Sequence, residues 1–241
     1  MEILAASKLA SPLCVALDTP DLARARALVR AVGDAAGMVK IGMEFFYAHG
    51  AGGYAAIAAV GVPVFLDLKL HDIPNTVAGA MATLMRLKPP PAVVNVHAGG
   101  GPAMMQAATD AVAGRCKVIA VTVLTSLSDD DLSGIGFDPA QSAVDLAANM
   151  ARRAQDCGLD GVVCSPVELA AIRAACGPGF LTVVPGLRPS DTRLGDQRRV
   201  ATPAEAWAAG ADILVVGRPI TGAADPARAA RDILAGLKDR P

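Results

Sequence analysis

Aromatic side chains are scarce in this 241-residue chain: one Trp, two Tyr and five Phe, 3% of the total. Few large rings mean that any core must be filled by Ala, Val, Leu and Ile, and hydrophobic residues do make up 53% of the sequence. A surplus of charge of either sign is also missing. The 22 basic and 23 acidic side chains are mixed along the chain and leave a net charge of −1. There is no basic stripe of the kind a nucleic-acid partner would need, and no acidic or polybasic tail. Paired cysteines are absent as well: Cys14, Cys116, Cys157, Cys164 and Cys176 are scattered, odd in number and without a CxxC spacing. Neither a disulfide frame nor a zinc site is implied, and reduced thiols in a cytoplasmic protein are expected. Apolar runs are too short to cross a membrane. The apolar start of the chain carries Glu2 and Lys8, lacks a basic leading region and runs directly into a strand, unlike a signal peptide.

What the chain does have is alternation. Strand-like apolar runs occur at 13–18, 38–42, 62–70, 92–97, 117–124, 161–164, 181–184 and 213–217. Helix-period segments lie between them, near 21–34, 44–58, 76–87, 101–113, 141–156, 166–176 and 203–209. A last helix is predicted to begin at Asp225-Pro226, with Asp as N-cap and Pro in the first turn. Strict alternation predicts a parallel sheet, and eight repeats predict a closed α/β TIM (β/α)8 barrel, one domain over residues 1–241. An open doubly wound sheet is the alternative, but it would favour a Gly-rich turn after the first strand, where this chain has Asp18-Thr19-Pro20-Asp21.

Most of these strands end in polar residues. Asp18 follows the first, Lys40 lies in the second, and Asp67 and Lys69 in the third. Asn95 and His97 lie in the fourth, Thr125 and Ser126 follow the fifth, Arg188 follows the seventh, and Gly217-Arg218 closes the eighth. In a barrel these positions converge on the face where such folds place their sites. Two long connections stand out. The one after the seventh strand, 185–199, is rich in arginine and suggests a phosphate-gripping lid. The one at 126–138 is expected to be a surface loop, with Asp129, Asp130 and Asp131 as a solvated stretch or helix start rather than a metal site.

The third strand carries the densest chemistry. With a two-residue period, Val64, Leu66, Leu68 and Leu70 share an aliphatic face, while Phe65, Asp67, Lys69 and His71 share the other. Charges kept from water need partners. Asp67 and Lys69, with Lys40 from the neighbouring strand and Asp72 just beyond, can form an alternating array of ammonium and carboxylate groups. A lysine flanked by carboxylates keeps its proton, which makes it a donor to a carbanion and a poor nucleophile. A carboxylate at Asp67 would repel an anionic group beside it, and loss of that group as CO₂ would relieve the repulsion. At the far side of the mouth, Gly217 and Arg218 suit a phosphate, with Arg188 and Gln197 closing over it. The expected ligand is a small phosphorylated molecule with its reacting end near Lys69.

The run Asp67-Leu-Lys69-Leu-His71-Asp72-Ile-Pro-Asn-Thr76 resembles the signature of the orotidine 5′-phosphate decarboxylase family. The likeness extends over the chain: Leu-Asp18, Val-Lys40-Ile-Gly, Val-Thr-Val-Leu-Thr125-Ser, Pro-Gly186-Leu-Arg188-Pro, Gly-Asp196-Gln197-Arg-Arg and Val-Gly217-Arg218-Pro occur in family order and spacing. Leu187, where the family pattern has Ile, is a minor departure. The resemblance implies cofactor-free decarboxylation of orotidine 5′-monophosphate to uridine 5′-monophosphate, the last step of de novo UMP synthesis. It implies Lys69 as proton donor to the C6 carbanion, with Asp67, Asp72 and Lys40 as its catalytic companions. Asp18 and Lys40 would hold ribose hydroxyls, Thr125 would lie against the pyrimidine, and Arg188, Gln197, Gly217 and Arg218 would hold the phosphate. It further implies a homodimer in which Asp72 and Thr76 enter the partner's site.

Two other readings stand beside this one. A related Mg²⁺-dependent sugar-phosphate decarboxylase or aldolase would have an acidic residue in place of Lys40, and a His and an Arg after the fifth strand. A catalytically silent nucleotide-binding barrel would have little reason to keep so many grouped charges. His71 is left between an interface or site-edge role and a structural one. Asn95 and His97 are expected to be satisfied by hydrogen bonds in the core or rim. His49 is assigned nothing.

Overall fold

Short runs of Val, Ile and Leu, flanked on both faces by other apolar layers, suit strands buried on both sides of a parallel sheet. The computed structural model describes residues 11–188 and 201–237. Its strands are β1 (Leu13–Ala16), β2 (Met38–Gly42), β3 (Val64–Leu70), β4 (Val93–His97), β5 (Lys117–Val121), β6 (Gly161–Val163), β7 (Leu181–Val184) and β8 (Ile213–Val216). Each pairs in parallel with the next, and β8 pairs back onto β1, so the expected barrel is closed. Around it lie α1 (Leu22–Val32), α2 (Met43–Ala58), α3 (Pro74–Leu84), α4 (Gly101–Val112), α5 (Asp129–Gly134), α6 (Ala143–Asp156), α7 (Leu169–Cys176), α8 (Pro203–Ala208), α9 (Arg218–Thr221) and α10 (Pro226–Ala235).

The two-residue period sorts side chains into two cores. Outward-facing Val15, Val39, Ile41, Val64, Leu66 and Val94 pack under the helices. Inward-facing Cys14, Met38, Phe65, Val93, Ile119 and Ile213 fill the barrel as a plug. Small side chains make close strand approach possible; at Gly161, which opens β6, a Cβ would run into the backbone of Leu181 on β7. The next inward positions above the plug are Lys40, Asp67 and Asn95, each two residues beyond a plug residue. The apolar plug is therefore the floor of whatever these polar groups surround.

Several boundaries differ from expectation. β1, β5, β6 and β8 stop two, three, one and one residues short of the apolar runs that predicted them (16 against 18, 121 against 124, 163 against 164, 216 against 217). Ladder pairing ends before the apolar pattern does, because the chain leaves the sheet at the mouth while still covered by its neighbours; Val123 is 4% exposed although it lies outside β5. The 126–138 connection is not merely a loop. Ser128 caps α5 in a reciprocal box with Asp131, so the three aspartates are the acidic first turn of a helix. Asp225 caps α10 as expected, accepting from Arg228 N. Arg188 and Ala201, the ends of the arginine-rich connection, are joined by an Arg188 N to Ala201 O hydrogen bond of 3.1 Å. Gln197 and the part of the proposed lid beyond Arg188 lie outside the described residues.

Candidate active site

The largest departure from a regular strand falls on the residue with the most chemistry. Leu66 on β3 pairs with Val94 on β4, but the next partners are Leu70 and Val96, so β3 spends two residues more than β4 over this interval. Lys69 sits inside that irregularity with φ of 52°, a left-handed conformation costly for a residue with a Cβ. Its N–H, turned away from the ladder, donates to Asn95 Oδ1 at 2.8 Å. Bulges of this kind re-aim side chains next to sites. Here the Lys69 ammonium comes back over the preceding inward residue and donates to Asp67 Oδ1 at 2.6 Å.

An alternating row of charge results. Lys40 Nζ lies 3.2 Å from Asp18 Oδ1 and 3.2 Å from Asp67 Oδ2, and Asp67 Oδ1 completes the row to Lys69. Asn95 Nδ2 also donates to Asp67 Oδ1, at 2.7 Å. Side-chain exposure runs 60% at Asp18, 12% at Lys40, 9% at Asp67 and 27% at Lys69, so the centre of the row is dry and its ends meet solvent. Burial pushes the Asp67 carboxyl up, but Lys40 and Lys69 outweigh it, with hydrogen bonds from Lys69 and Asn95, and hold it below the ordinary carboxylate value. Burial pulls Lys40 down; Asp67 and then Asp18 overcome that and leave its pKa raised. Both central groups are thus fixed in their charged forms.

Asp18, Lys40, Asp67 and Lys69 form one wall of a cavity of about 260 Å³. Arg188, Gly217 and Arg218 line it as well, and so does Thr125. These predicted site residues, from β1, β2, β3, β5, β7 and β8 or just beyond, are therefore brought together as the barrel reading required. Phe65, Val183 and Val215 give it an apolar floor, and Val121, Val123 and Leu124 an apolar flank. Asp72 and Thr76 do not line it. Asp72 is exposed, its Oδ1 accepting from Ile73 N at 2.6 Å, and Thr76 is exposed in the first turn of α3. Within one chain, Asp18 rather than Asp72 provides the second carboxylate of the alternation. Asp18 joins the row because β1 lies beside β2 in the closed sheet, a member that the third strand alone did not suggest.

Of the side residues, Asn95 is 1% exposed and fully engaged with Asp67 and Lys69. Its hydrogen bonding was expected; its partners were not, since only the β3–β4 pairing brings them together. His71 and His97 stack loosely, ring centroids 5.4 Å apart, at the edge of the site. His49 Nε2 lies 2.6 Å from Pro20 O and ties α2 to the turn after β1. Cys164, noted in sequence only as a scattered cysteine and given no role in the site, lines the cavity as a buried thiol. Among the described residues, no group of three or more His, Cys, Asp or Glu is gathered as a metal ion would require.

This geometry has relatives. The family described as "Orotidine 5′-phosphate decarboxylase / HUMPS family" matches residues 11–233. The chain belongs to that family. The orotidine 5′-phosphate decarboxylase of Novosphingobium aromaticivorans is 53% identical over 229 residues, covering 95% of this chain and 100% of the relative. That of Paramagnetospirillum magneticum is 48% identical over 235 residues, covering 94% and 98%. Among solved structures, orotidine 5′-phosphate decarboxylase from Lactobacillus acidophilus superposes with a TM-score of 0.82 at 36% identity, covering 95% of this chain and 99% of that one. Such identities over whole chains leave the family's barrel and this chain's barrel the same fold.

Proposed function

We propose that this chain decarboxylates orotidine 5′-monophosphate to uridine 5′-monophosphate and CO₂, without a cofactor, through Lys69. The observation that carries this reading is the Asp67 carboxylate, buried and kept ionised between Lys40 and Lys69 on the wall of the cavity. An anionic carboxylate of a ligand placed against Asp67 is repelled, whereas the carbanion left after loss of CO₂ faces the Lys69 ammonium. The C6–carboxyl bond breaks, its electron pair stays on C6, and one N–H bond of Lys69 breaks to supply the proton. Lys69 then regains a proton from solvent. Charges fixed in place before reaction need no reorganisation during it.

The far end of the cavity suits the phosphate. Gly217 and Arg218 follow β8, and Arg188 follows β7, which is where barrels of this kind hold phosphate groups. Lys40 and Asp18 hold ribose hydroxyls between the two ends, and Thr125 lies against the pyrimidine. Asp72 and Thr76, exposed and away from their own cavity, serve the site of a partner in a homodimer. One domain over residues 1–241 carries the activity. Free, mostly buried thiols suit a cytoplasmic enzyme, and among the described residues no helix is long and apolar enough to cross a membrane. The Mg²⁺-dependent alternative lacks its residues here: Lys40 replaces the acid, and Leu124-Thr125-Ser126 replaces the His and Arg.

Purified protein mixed with orotidine 5′-monophosphate in EDTA should bleach the orotate chromophore. No turnover would sink the proposal. Mixing inactive Lys69→Ala and Asp72→Ala chains should restore activity in heterodimers; with exchange confirmed and activity still absent, Asp72 acts within its own chain.

A further inference from the structure

Among the described residues, Asn95 is the one neutral side chain hydrogen-bonded to both members of the reacting pair. It is 1% exposed, it comes from a different strand, and it touches each member by a different atom: Oδ1 accepts from the Lys69 backbone at 2.8 Å and Nδ2 donates to Asp67 Oδ1 at 2.7 Å. Lys69 occupies a left-handed conformation within the β3 irregularity, where the regular ladder to β4 is interrupted. A backbone in that conformation persists only when its surroundings determine it. The amide oxygen of Asn95 takes the place of the missing ladder acceptor. Its amide nitrogen simultaneously fixes which way the Asp67 carboxylate is turned, and hence where Lys69 Nζ finds Oδ1.

We propose that Asn95 is the positioning residue of this site, setting the Lys69 ammonium and the Asp67 carboxylate relative to the reacting carbon through these two hydrogen bonds. The inference rests on the proposed decarboxylation. Asn suits the task for a definite reason: it presents an acceptor and a donor on one planar group and adds no charge. An aspartate there would set a second carboxylate 2.7 Å from Asp67 Oδ1. An aliphatic residue would leave a buried N–H without a partner.

Two variants test this. Asn95→Ala should lower kcat about 100-fold, the scale expected from misplacing reacting groups by about an ångström, with KM and the affinity for uridine 5′-monophosphate changed less than about threefold. Asn95→Asp keeps the shape and, when its new carboxyl is protonated, keeps both the acceptor and the donor. Two carboxyls at this distance share a proton and titrate as a pair at raised pH. The Asn95→Asp enzyme should therefore gain kcat as pH is lowered through that range, while the wild type does not. The groups facing Asp67 are Lys40 on β2, Lys69 on β3, Asn95 and His97 on β4, Cys14 on β1 and Asp18 beyond it. A new carboxyl two residues from His97 on β4 also shifts the His97 titration, so both enzymes are compared in a His97→Gln background. A purely structural Asn95 would lower the melting temperature and leave kcat per folded molecule within threefold of wild type; that result, or an Asn95→Asp profile parallel to wild type, overturns the inference. If wild-type protein does not turn over the nucleotide, the functional proposal fails by itself. Amide exchange at Lys69 then decides Asn95: acceleration in folded Asn95→Ala supports the positioning role, and unchanged exchange rejects it.

Discussion

The barrel holds charged side chains at both ends, and they are used differently. At the amino ends of the strands, Arg173 from α7 donates to the carbonyls of Phe180 and Gly210 at 2.6 and 2.7 Å and also reaches Thr182 Oγ1 and Asp212. Asp212 accepts in turn from Thr182 N. Lys117 and Asp160 make a second, simpler pair there at 2.7 Å, and Asp160 accepts from Val118 N. These groups stitch α7, β7 and the start of β8, and β5 to the turn before β6, largely through backbone partners. At the opposite end, the side chains of the row Asp18–Lys40–Asp67–Lys69 are partnered, among the described residues, by one another and by Asn95, and they line a cavity. Among the described residues, the Lys69 ammonium donates to Asp67 alone, although it has three hydrogens. The Arg173 guanidinium is taken up by carbonyls, Thr182 and Asp212, whereas the Lys69 ammonium keeps donors for the cavity it lines.

The widest test of that contrast is Lys69→Ala. Turnover should fall at least about 10⁴-fold, since proton donation and electrostatic stabilisation are both removed. Calorimetric affinity for uridine 5′-monophosphate should stay within about tenfold, and near-normal turnover would reject the assignment. At the other end, Arg173→Ala should cost about 3 kcal/mol of unfolding free energy, because Asp212 loses its ion pair with Arg173, though not its bonds from Thr182, and several carbonyls lose a donor. Its kcat per folded molecule should be unaltered; urea titration and a turnover assay read the two quantities separately. Arg218→Ala should weaken uridine 5′-monophosphate binding by about 10–100-fold, the value of a charge-assisted hydrogen bond, with little change in melting temperature. Unchanged affinity would remove Arg218 from the phosphate end.

The smallest expected effects are those of pH. Asp67 has a folded pKa below its ordinary 3.8, so its contribution to stability is complete above that value and is lost as pH falls through the lower, folded one. Lys40 is raised above 10.5, so its contribution is complete below that value and is lost as pH rises through the higher one. Between about pH 5 and about pH 9 the buried centre of the row should thus add no slope to a stability profile. His97 behaves oppositely: burial, then the nearby His71 and Lys69, lower its pKa from 6.5, so folding resists its protonation and stability declines as pH drops below that value. His97→Gln should flatten the decline of melting temperature between about pH 7 and about pH 5. A slope unaffected by the substitution would place its origin elsewhere.

Much of this molecule was legible in the residues. Alternating apolar runs specified eight strands and a closed barrel because burial on both faces leaves a strand little choice but Val, Ile, Leu and Ala. Polar residues at strand ends specified the mouth, since the barrel brings every carboxyl-terminal end to one face. The two-residue period correctly separated Asp67 from Leu66. It also put Lys69 on the cavity side with Asp67, and Leu68 and Leu70 with the outer core; what a local period does not show is that the ladder breaks there and the backbone of Lys69 turns left-handed. The extra residues in β3, and the acceptor that satisfies them, depend on β4.

By itself, then, the sequence determined which side chains face inward and which ends carry charge, because those follow from spacing along one strand. Only the tertiary structure decided which charges meet. Asp18 reaches Lys40 because β1 lies beside β2, and Asn95 reaches both Asp67 and Lys69 because β4 lies beside β3. Contacts between strands are set by register and closure, over separations of 22 to 28 residues that no local pattern spans.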